Sequence, residues 1–551
     1  MGLLLEAVDV TGPLRWRWLL CDEGTGTPLA DHQVDLDPSA PEAGQFSDLY
    51  AYSYSFAAPD RRTAEGARLV RAAGEWAGRE LLGPDIGAAI LAESPVTVRV
   101  SVPAELGRVL LWPLELAHAD GRPLAARGDV TLVYDLAPNT SAPRKDQVGD
   151  TLRMLAVFAQ PTRTSVLALR RERYELTRLI RRIAARQQAV VELQVVQYGA
   201  TRERLAQIAD SGDGWDLLHL SGHGAGGAFL LEKKDGSPDP VSTADLVILL
   251  RPARRRLKLA VVSACESAAD TTAQTLRLLG LSEQAEALEA EEAAAGHAAT
   301  QVPGLTRALV HDLGCAVVGM RYPVIDEFAI AFDQALYDNL LSKTHQHPVD
   351  VAVARAAAAA AGPAPSDARP ALSIATPGVF GAQAAGLRLQ VPRGAPLLDP
   401  AAERMAYFPD EPPRFVGRAE AMAKAGAALA PDSGMTTVLL HGMAGAGKTA
   451  CALELAYRHQ DAFAAAAFWQ APTKDDEWAS ALADFANRLD IQLGRYGFTM
   501  ASHITTVAAL ESFLPLLRSL LARTGILLVL DNLETLLTEE GTWRDPAGPR
   551  C

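Results

Sequence analysis

Between residues 152 and 320 short apolar runs recur, each followed by turn or helix signals: "LRMLAVFA", "VVELQVVQYG", "WDLLHL", "LKLAVVSA" and "CAVVGM". Runs this short and this apolar must be buried on both faces. With helical segments between them, they specify a parallel sheet covered by helices on both sides. The arginine-rich segment after the first run places Leu176, Leu179, Ile180 and Ile183 on one helical face. The helices "DEFAIAFDQALYDNLL" and "PVDVAVARAAAAAA" close the unit. Ahead of it, "PVTVRVSVP", "VLLWPLEL" and "DVTLVYDL" predict a small β-rich lead-in. Residues 1–94 mix strand-like pieces with the helical "RTAEGARLVRAAGEWAGRELLG", and no role can be read from them.

In an open parallel sheet, chemistry collects where loops leave the carboxyl ends of strands. The stretch "DLLHLSGHGAGG" places His223 there, in a glycine-rich turn, whereas His219 lies inside the strand, where a hydrogen-bonded structural histidine is the expectation. Some 42 residues after His223, "LKLAVVSACES" delivers Cys265 to the end of the next apolar strand. Histidine and cysteine are then neighbours in space. A thiol is mostly protonated at neutral pH, so a positioned imidazole can take its proton and later return it to a leaving amine. Attack on a carbonyl also creates an oxyanion, for which the N–H groups of Gly224 and Cys265 are the natural donors. The residues alone leave a second option open, a buried cysteine beside a glycine turn.

A second constellation follows a Pro-rich connection, "PLLDPAAERMAYFPDEPPRF". "TVLLHGMAGAGKTACALELA" predicts a strand, then Gly442, Gly445, Gly447, Lys448 and Thr449 in the spacing GxxxxGK[ST], then a helix. Glycines let backbone N–H groups curl round phosphate oxygens, Lys448 reaches the terminal phosphates, and Thr449 can ligate Mg2+. "GILLVLDNLE" then ends an apolar strand on Asp531, placed as a magnesium ligand. The residue after it is Asn532, with Glu534 two positions further, so the pattern supports binding of ATP more than its hydrolysis.

The rest of the sequence narrows the partners. A net charge of −14 over 551 residues argues against nucleic acid or anionic lipid. The arginine runs "RRERYELTRLIRR" and "RPARRRLK" lack interleaved aromatics for base stacking. Five scattered cysteines show no metal-ligand spacing, and Cys315 and Cys451 read as interior residues. Neither an export signal nor a membrane-spanning run is present, so a soluble, cytoplasmic protein is expected. The Ala/Glu-rich residues 283–300 and the Ala/Pro-rich residues 356–370 are expected to be surface extensions.

"HLSGHG" followed by "VVSACES" resembles the CHAT branch of the caspase-like cysteine peptidases. "WPLELAHADGRPLA" is similar to the family's lead-in and "PGLTRALVHDLGCAVVGMRYPVIDEFAIAFDQALYDNLL" to its distal half, so the likeness spans about residues 95–390. It implies a caspase-like, mostly parallel sheet flanked by helices. It also implies His223 as general base and acid, Cys265 as nucleophile, and Gly224 with Cys265 as oxyanion donors. Ser263 is neutral where some relatives place Asp to receive a basic side chain, and Arg321 either lines a cleft or is structural. "FVGRAEAM" together with the phosphate loop makes Phe415–Glu534 resemble the NB-ARC or NACHT-like STAND NTPases. The chain ends at Cys551, ahead of any sensor strand or helical lid, so a partial P-loop NTPase α/β domain is expected.

The expected organisation is therefore residues 1–94 of unassigned role, a peptidase domain over 95–395, a linker over 396–414 and the NTPase over 415–551. The resemblance implies an ATP-regulated cysteine endopeptidase acting on a partner protein, with possible self-assembly through the NTPase. The alternative is a catalytically silent scaffold assembled by nucleotide binding.

Overall fold

The computed structural model describes residues 2–37, 49, 62–136, 148–161, 167–197, 199–212, 214–225, 228–234, 236–264, 304–395, 405, 408–412, 415, 417–429, 434–435, 437–460, 463–471, 478–494, 499–500 and 507–536. The chain divides into two compact units, Met1–Leu397 and Leu398–Cys551.

The first unit is built on an eleven-stranded sheet. Its strands are β1 (Gly2–Gly12), β2 (Arg15–Asp22), β3 (Pro28–Asp35), β4 (Val96–Ser101), β5 (Val130–Asp135) and β6 (Leu152–Ala159). They continue with β7 (Val191–Gln197), β8 (Leu217–Gly222), β9 (Leu259–Ala264), β10 (Ala316–Met320) and β11 (Pro377–Phe380). The order across the sheet is β3-β2-β1-β4-β5-β11-β10-β9-β8-β6-β7. Strands β7, β6, β8, β9 and β10 are mutually parallel, as are β11, β5, β4 and β1; the direction reverses between β10 and β11.

Helices cover both faces. Leu205 of α4 (Arg202–Ala209) and Leu246 and Leu250 of α5 (Thr243–Leu250) pack on the face formed by Leu218, Leu220, Ala260 and Val262. The opposite face, with Leu217, Leu259 and Val261, meets α3 (Leu169–Gln187), α6 (Asp326–Leu341) and α7 (Val349–Ala361). Leu176, Leu179, Ile180 and Ile183 of α3 are all buried there, as their spacing predicts. This alternation of facing along each strand is the physical reason the runs read as continuously apolar.

Residues 1–94, which carried no legible role, extend this same sheet. β1 pairs in parallel with β4, and β2 and β3 follow as an antiparallel edge. Trp16 and Trp18 alternate inward on β2 and meet edge to face at 5.7 Å, while α1 (Arg62–Trp76) and α2 (Pro84–Ala92) contribute Val70, Ala73, Ile86 and Ile90 to the core.

Three local expectations fail for identifiable reasons. "VLLWPLEL" is not a strand but lies in two 3-10 segments, Ala104–Leu111 and Leu114–Leu116. Pro113 has no N–H for a ladder, and the apolar side chains of Leu110, Leu114 and Leu116 are buried from turns instead. The alanines at the start of 356–370 are not a surface extension. Ala356, Ala357 and Ala360 are buried on α7, where small side chains admit close packing. "TVLLHG" joins no ladder among the described residues, and Leu439 is 76% exposed. The segment 283–300 lies outside the described residues.

In the second unit β12 (Ala465–Gln470) and β13 (Ile526–Asp531) pair in parallel. The helix α8 (Lys448–Arg458) follows the glycine-rich loop, and α9 (Trp478–Leu493) and α10 (Val507–Thr524) supply Ala486, Leu489 and Leu517 to a small core with Ala465 and Ile526. No described helix is long and apolar enough to cross a membrane.

Candidate active site

The geometry of the site begins at the far end of the strands that carry it. Asp216, fully buried, sits at the amino end of β8. Its carboxylate accepts from Lys258 Nζ at 2.7 Å, Arg256 Nε at 2.9 Å and the Arg153 backbone N–H at 2.9 Å. Its backbone bonds both neighbours as well, donating to Arg153 O and accepting from Lys258 N. The amino ends of β6, β8 and β9 are thereby joined at one charged knot, with Arg153 stacked over Trp215 at 4.3 Å.

From that knot the ladders run without interruption. Leu217 pairs with Met154 and Leu259, and the last pairs are Gly222 with Ala159 and Gly222 with Ala264. The next residues along β8 and β9 are His223 and Cys265. His223 is 4% exposed, and its carbonyl accepts from Leu230 N at 2.9 Å. Gly224 follows in a short strand, Gly224–Ala225, that pairs with Ala228–Glu232. Cys265, and with it the proposed second oxyanion donor, lies outside the described residues.

One residue of this site has a role not anticipated in the sequence reading. A Cβ at Gly222 would stand 2.8 Å from Ala159 O and 3.1 Å from the Phe229 ring. Only glycine lets β6 and the hairpin close on this point. The signal was present in "SGHG", where a glycine inside a strand end marks close backbone approach. Ser263, opposite Ser221 in the ladder, is buried, and Ser221 Oγ donates to its carbonyl at 3.3 Å.

His219 is the structural histidine expected. It is wholly buried, with Nε2 3.0 Å from Glu172 Oε1 and Nδ1 3.0 Å from Tyr337 Oη. Burial first, and then the adjacent Glu172 carboxylate, holds the Asp333 carboxyl well above its usual range. Burial and the carboxyls of Asp333 and Glu172 likewise raise the Tyr337 phenol.

Arg321 belongs to the fold's interior. Its guanidinium is ion-paired with Glu115 at 3.1 Å and lies over the Tyr134 ring at 4.5 Å, and it donates to Ala375 O and Pro377 O. Tyr134 Oη donates to the same Glu115 at 2.8 Å, and burial pushes that phenol well up. The arginine thus ties "WPLEL" to β5, β10 and β11. Cys315 and Cys451 are both buried, as their surroundings predicted.

The residues of the second constellation, from Gly442 to Thr449 with Asp531, come together in the second unit. Gly445 and Gly447 take positive φ values of 75° and 84°, and Gly447 caps α8, so the loop curls onto a helix N-terminus. Gly442, at a φ of 154°, contributes its carbonyl to Lys448 Nζ at 3.1 Å. Lys448 also pairs with Glu534 Oε1 at 2.9 Å, a contact that lowers the Glu534 carboxyl. Thr449 Oγ1 lies 2.9 and 3.0 Å from the two oxygens of Asp531. Arg418, of "FVGRAEAM", donates to Ala446 O at 2.9 Å, so the entry motif braces the loop. Asn532 sits at a φ of 58°, a conformation asparagine tolerates better than most residues, which accounts for an amide beside Asp531.

The CHAT domain family model matches residues 71–372. No curated protein matches the chain in sequence. A solved structure similar to this chain is that of the Arg specific cysteine proteinase gingipain R, at 12% identity and a TM-score of 0.34, covering 62% of this chain and 71% of that one. The family match takes in strands β4 to β10 and the His223 turn, more than half of the chain: this protein belongs to the CHAT-domain family.

Proposed function

We propose that the first unit is a cysteine endopeptidase that cleaves a peptide bond in a partner protein. The observation that carries this reading is the parallel β8–β9 ladder, which ends on Gly222 and Ala264, the residues that precede His223 and Cys265 in the sequence. His223 takes the thiol proton as the Cys265 sulfur attacks the scissile carbonyl carbon. The N–H groups of Gly224 and Cys265 hold the resulting oxyanion. The C–N bond then breaks, His223 returns the proton to the leaving amine, and water hydrolyses the thioester with His223 as base. The burial of His223 favours a closed resting state, and it is also the observation on which the second reading, a silent scaffold, rests.

The second unit is read as the nucleotide switch that controls this access. The donor set fits Mg-ATP: backbone N–H groups at the start of α8 and Lys448 for the phosphates, Thr449 and Asp531 for the cation. A bound nucleotide would supply phosphate charge, toward which Lys448 would turn from Glu534. Assembly through this unit and a cytoplasmic setting complete the proposal.

Replacing Cys265 by Ala should abolish cleavage of a cognate partner in the full chain while ATP binding persists, and Lys448→Ala should abolish ATP binding in calorimetry. Cleavage that survives Cys265→Ala overturns the peptidase reading. ATP affinity unchanged in Lys448→Ala overturns the switch.

A further inference from the structure

Glu172 on α3, His219 on β8 and Asp333 on α6 converge between the sheet and the two helices. All three are buried, and one donor atom from each lies within 4.8 Å of the others. His219 Nε2 is 3.0 Å from Glu172 Oε1 and 4.0 Å from Asp333 Oδ2. Donor atoms around a tetrahedral zinc ion stand about 3.3 Å apart, so the two separations bracket that value.

Two further observations point to a ligand. Neither Asp333 oxygen receives a hydrogen bond, although the residue is 2% exposed and directed into the cluster. Burial and the facing Glu172 carboxylate hold that carboxyl well above its usual range, and a divalent cation would take the place of the missing donors. In addition, Tyr337 Oη lies 3.0 Å from Nδ1, the other ring nitrogen of His219. That is the outer contact by which a ligating imidazole is held with its second nitrogen aimed at a metal. Two carboxylates and a neutral imidazole balance one divalent cation in charge. The nitrogen donor disfavours Ca2+ and Mg2+, which take oxygen ligands, and the mixed N/O set suits zinc.

We propose that Glu172, His219 and Asp333 bind a divalent transition-metal ion, zinc by donor preference, with Tyr337 orienting His219. The ion would bolt α3 and α6 to β8 four residues before His223. This site is independent of the peptidase and nucleotide readings.

The test uses the full chain produced without a polyhistidine tag. Elemental analysis should find about one zinc per chain, retained in Cys265→Ala. Tyr337→Phe should weaken zinc affinity about 10–100-fold, and Asp333→Asn should reduce occupancy by at least as much. Should Asp333→Asn fail to fold, the wild-type chain decides: unfolded and refolded with Zn2+, it should carry the metal through gel filtration and melt at a higher temperature than chain refolded with chelator. Refolded chain that holds no zinc and melts identically under both conditions overturns the proposal. So does zinc lost on Cys265→Ala, which would place the ion at the other histidine.

Discussion

The His223 turn and the glycine-rich loop before α8 are both glycine-bounded segments, yet they are secured in different ways. The strand before His223 is paired on both sides, closed against Ala159 at Gly222 and held at its other end by the buried Asp216 knot. The segment before the phosphate loop joins no ladder among the described residues, and Leu439 and Met443 are 76% and 81% exposed. The polar contacts of the loop include the Lys448–Glu534 pair, half exposed at Glu534, the Thr449–Asp531 bond, and bonds from Lys448 and Arg418 to the carbonyls of Gly442 and Ala446. A buried charge left without its partner costs about 3–5 kcal/mol, whereas an exposed pair is worth about 0–1 kcal/mol. The first arrangement fixes geometry in advance. The second is held by contacts weak enough for a ligand to replace.

That contrast is breakable. Asp216→Ala leaves Lys258 and Arg256 without their carboxylate and should remove about 3–5 kcal/mol from the first unit in urea unfolding. A loss below 1 kcal/mol there would mean that the knot does not secure the ladder. Gly222→Ala forces Ala159 and Phe229 apart and should cost about 1–3 kcal/mol, with reduced cleavage at saturating partner. Unchanged stability would show that the strand end can yield.

Glu534→Gln sharpens the other side. It should shift stability by less than about 1 kcal/mol and tighten ATP binding by up to about fivefold in calorimetry, because Lys448 is released. Lys448 holds the Glu534 carboxyl below its usual range, so the contact is present above that range and fades as pH falls through the lowered value. The advantage of the variant should therefore shrink under acid conditions. Weaker ATP binding in Glu534→Gln would instead make Glu534 part of the nucleotide site.

What was legible followed from physical repetition. β6, β8, β9 and β10 announce themselves because strands buried on both faces must be apolar throughout, and the helical face of α3 because 3.6-residue spacing survives a surrounding run of arginines. The adjacency of the strands that end on Gly222 and Ala264 could be anticipated because both are short apolar runs of that kind. Residues 1–94 resisted because an edge such as β3 alternates apolar and polar residues weakly, and its membership in the sheet depends on β1 finding β4 some 90 positions away. Glu115, Asp216 and Asp333 carried no local pattern, since a buried carboxylate is defined by partners distant in sequence. The alanines of α7 read as low complexity because composition does not say which face of a helix is covered.

The Asp216 knot also bears on how this chain avoids misfolding. If β8 slipped by one residue against β6 or β9, every side chain would change face: His219 would enter the wholly apolar layer of Leu218 and Leu220, and Asp216 would lose its level with Lys258. The first error would bury a polar ring without its partners and the second a charge without its own, the latter at a cost comparable to much of a domain's net stability. Folding is thus proofread by electrostatics, and a chain that passes has already set Gly222 level with Ala159 and Ala264 at the foot of the His223 turn.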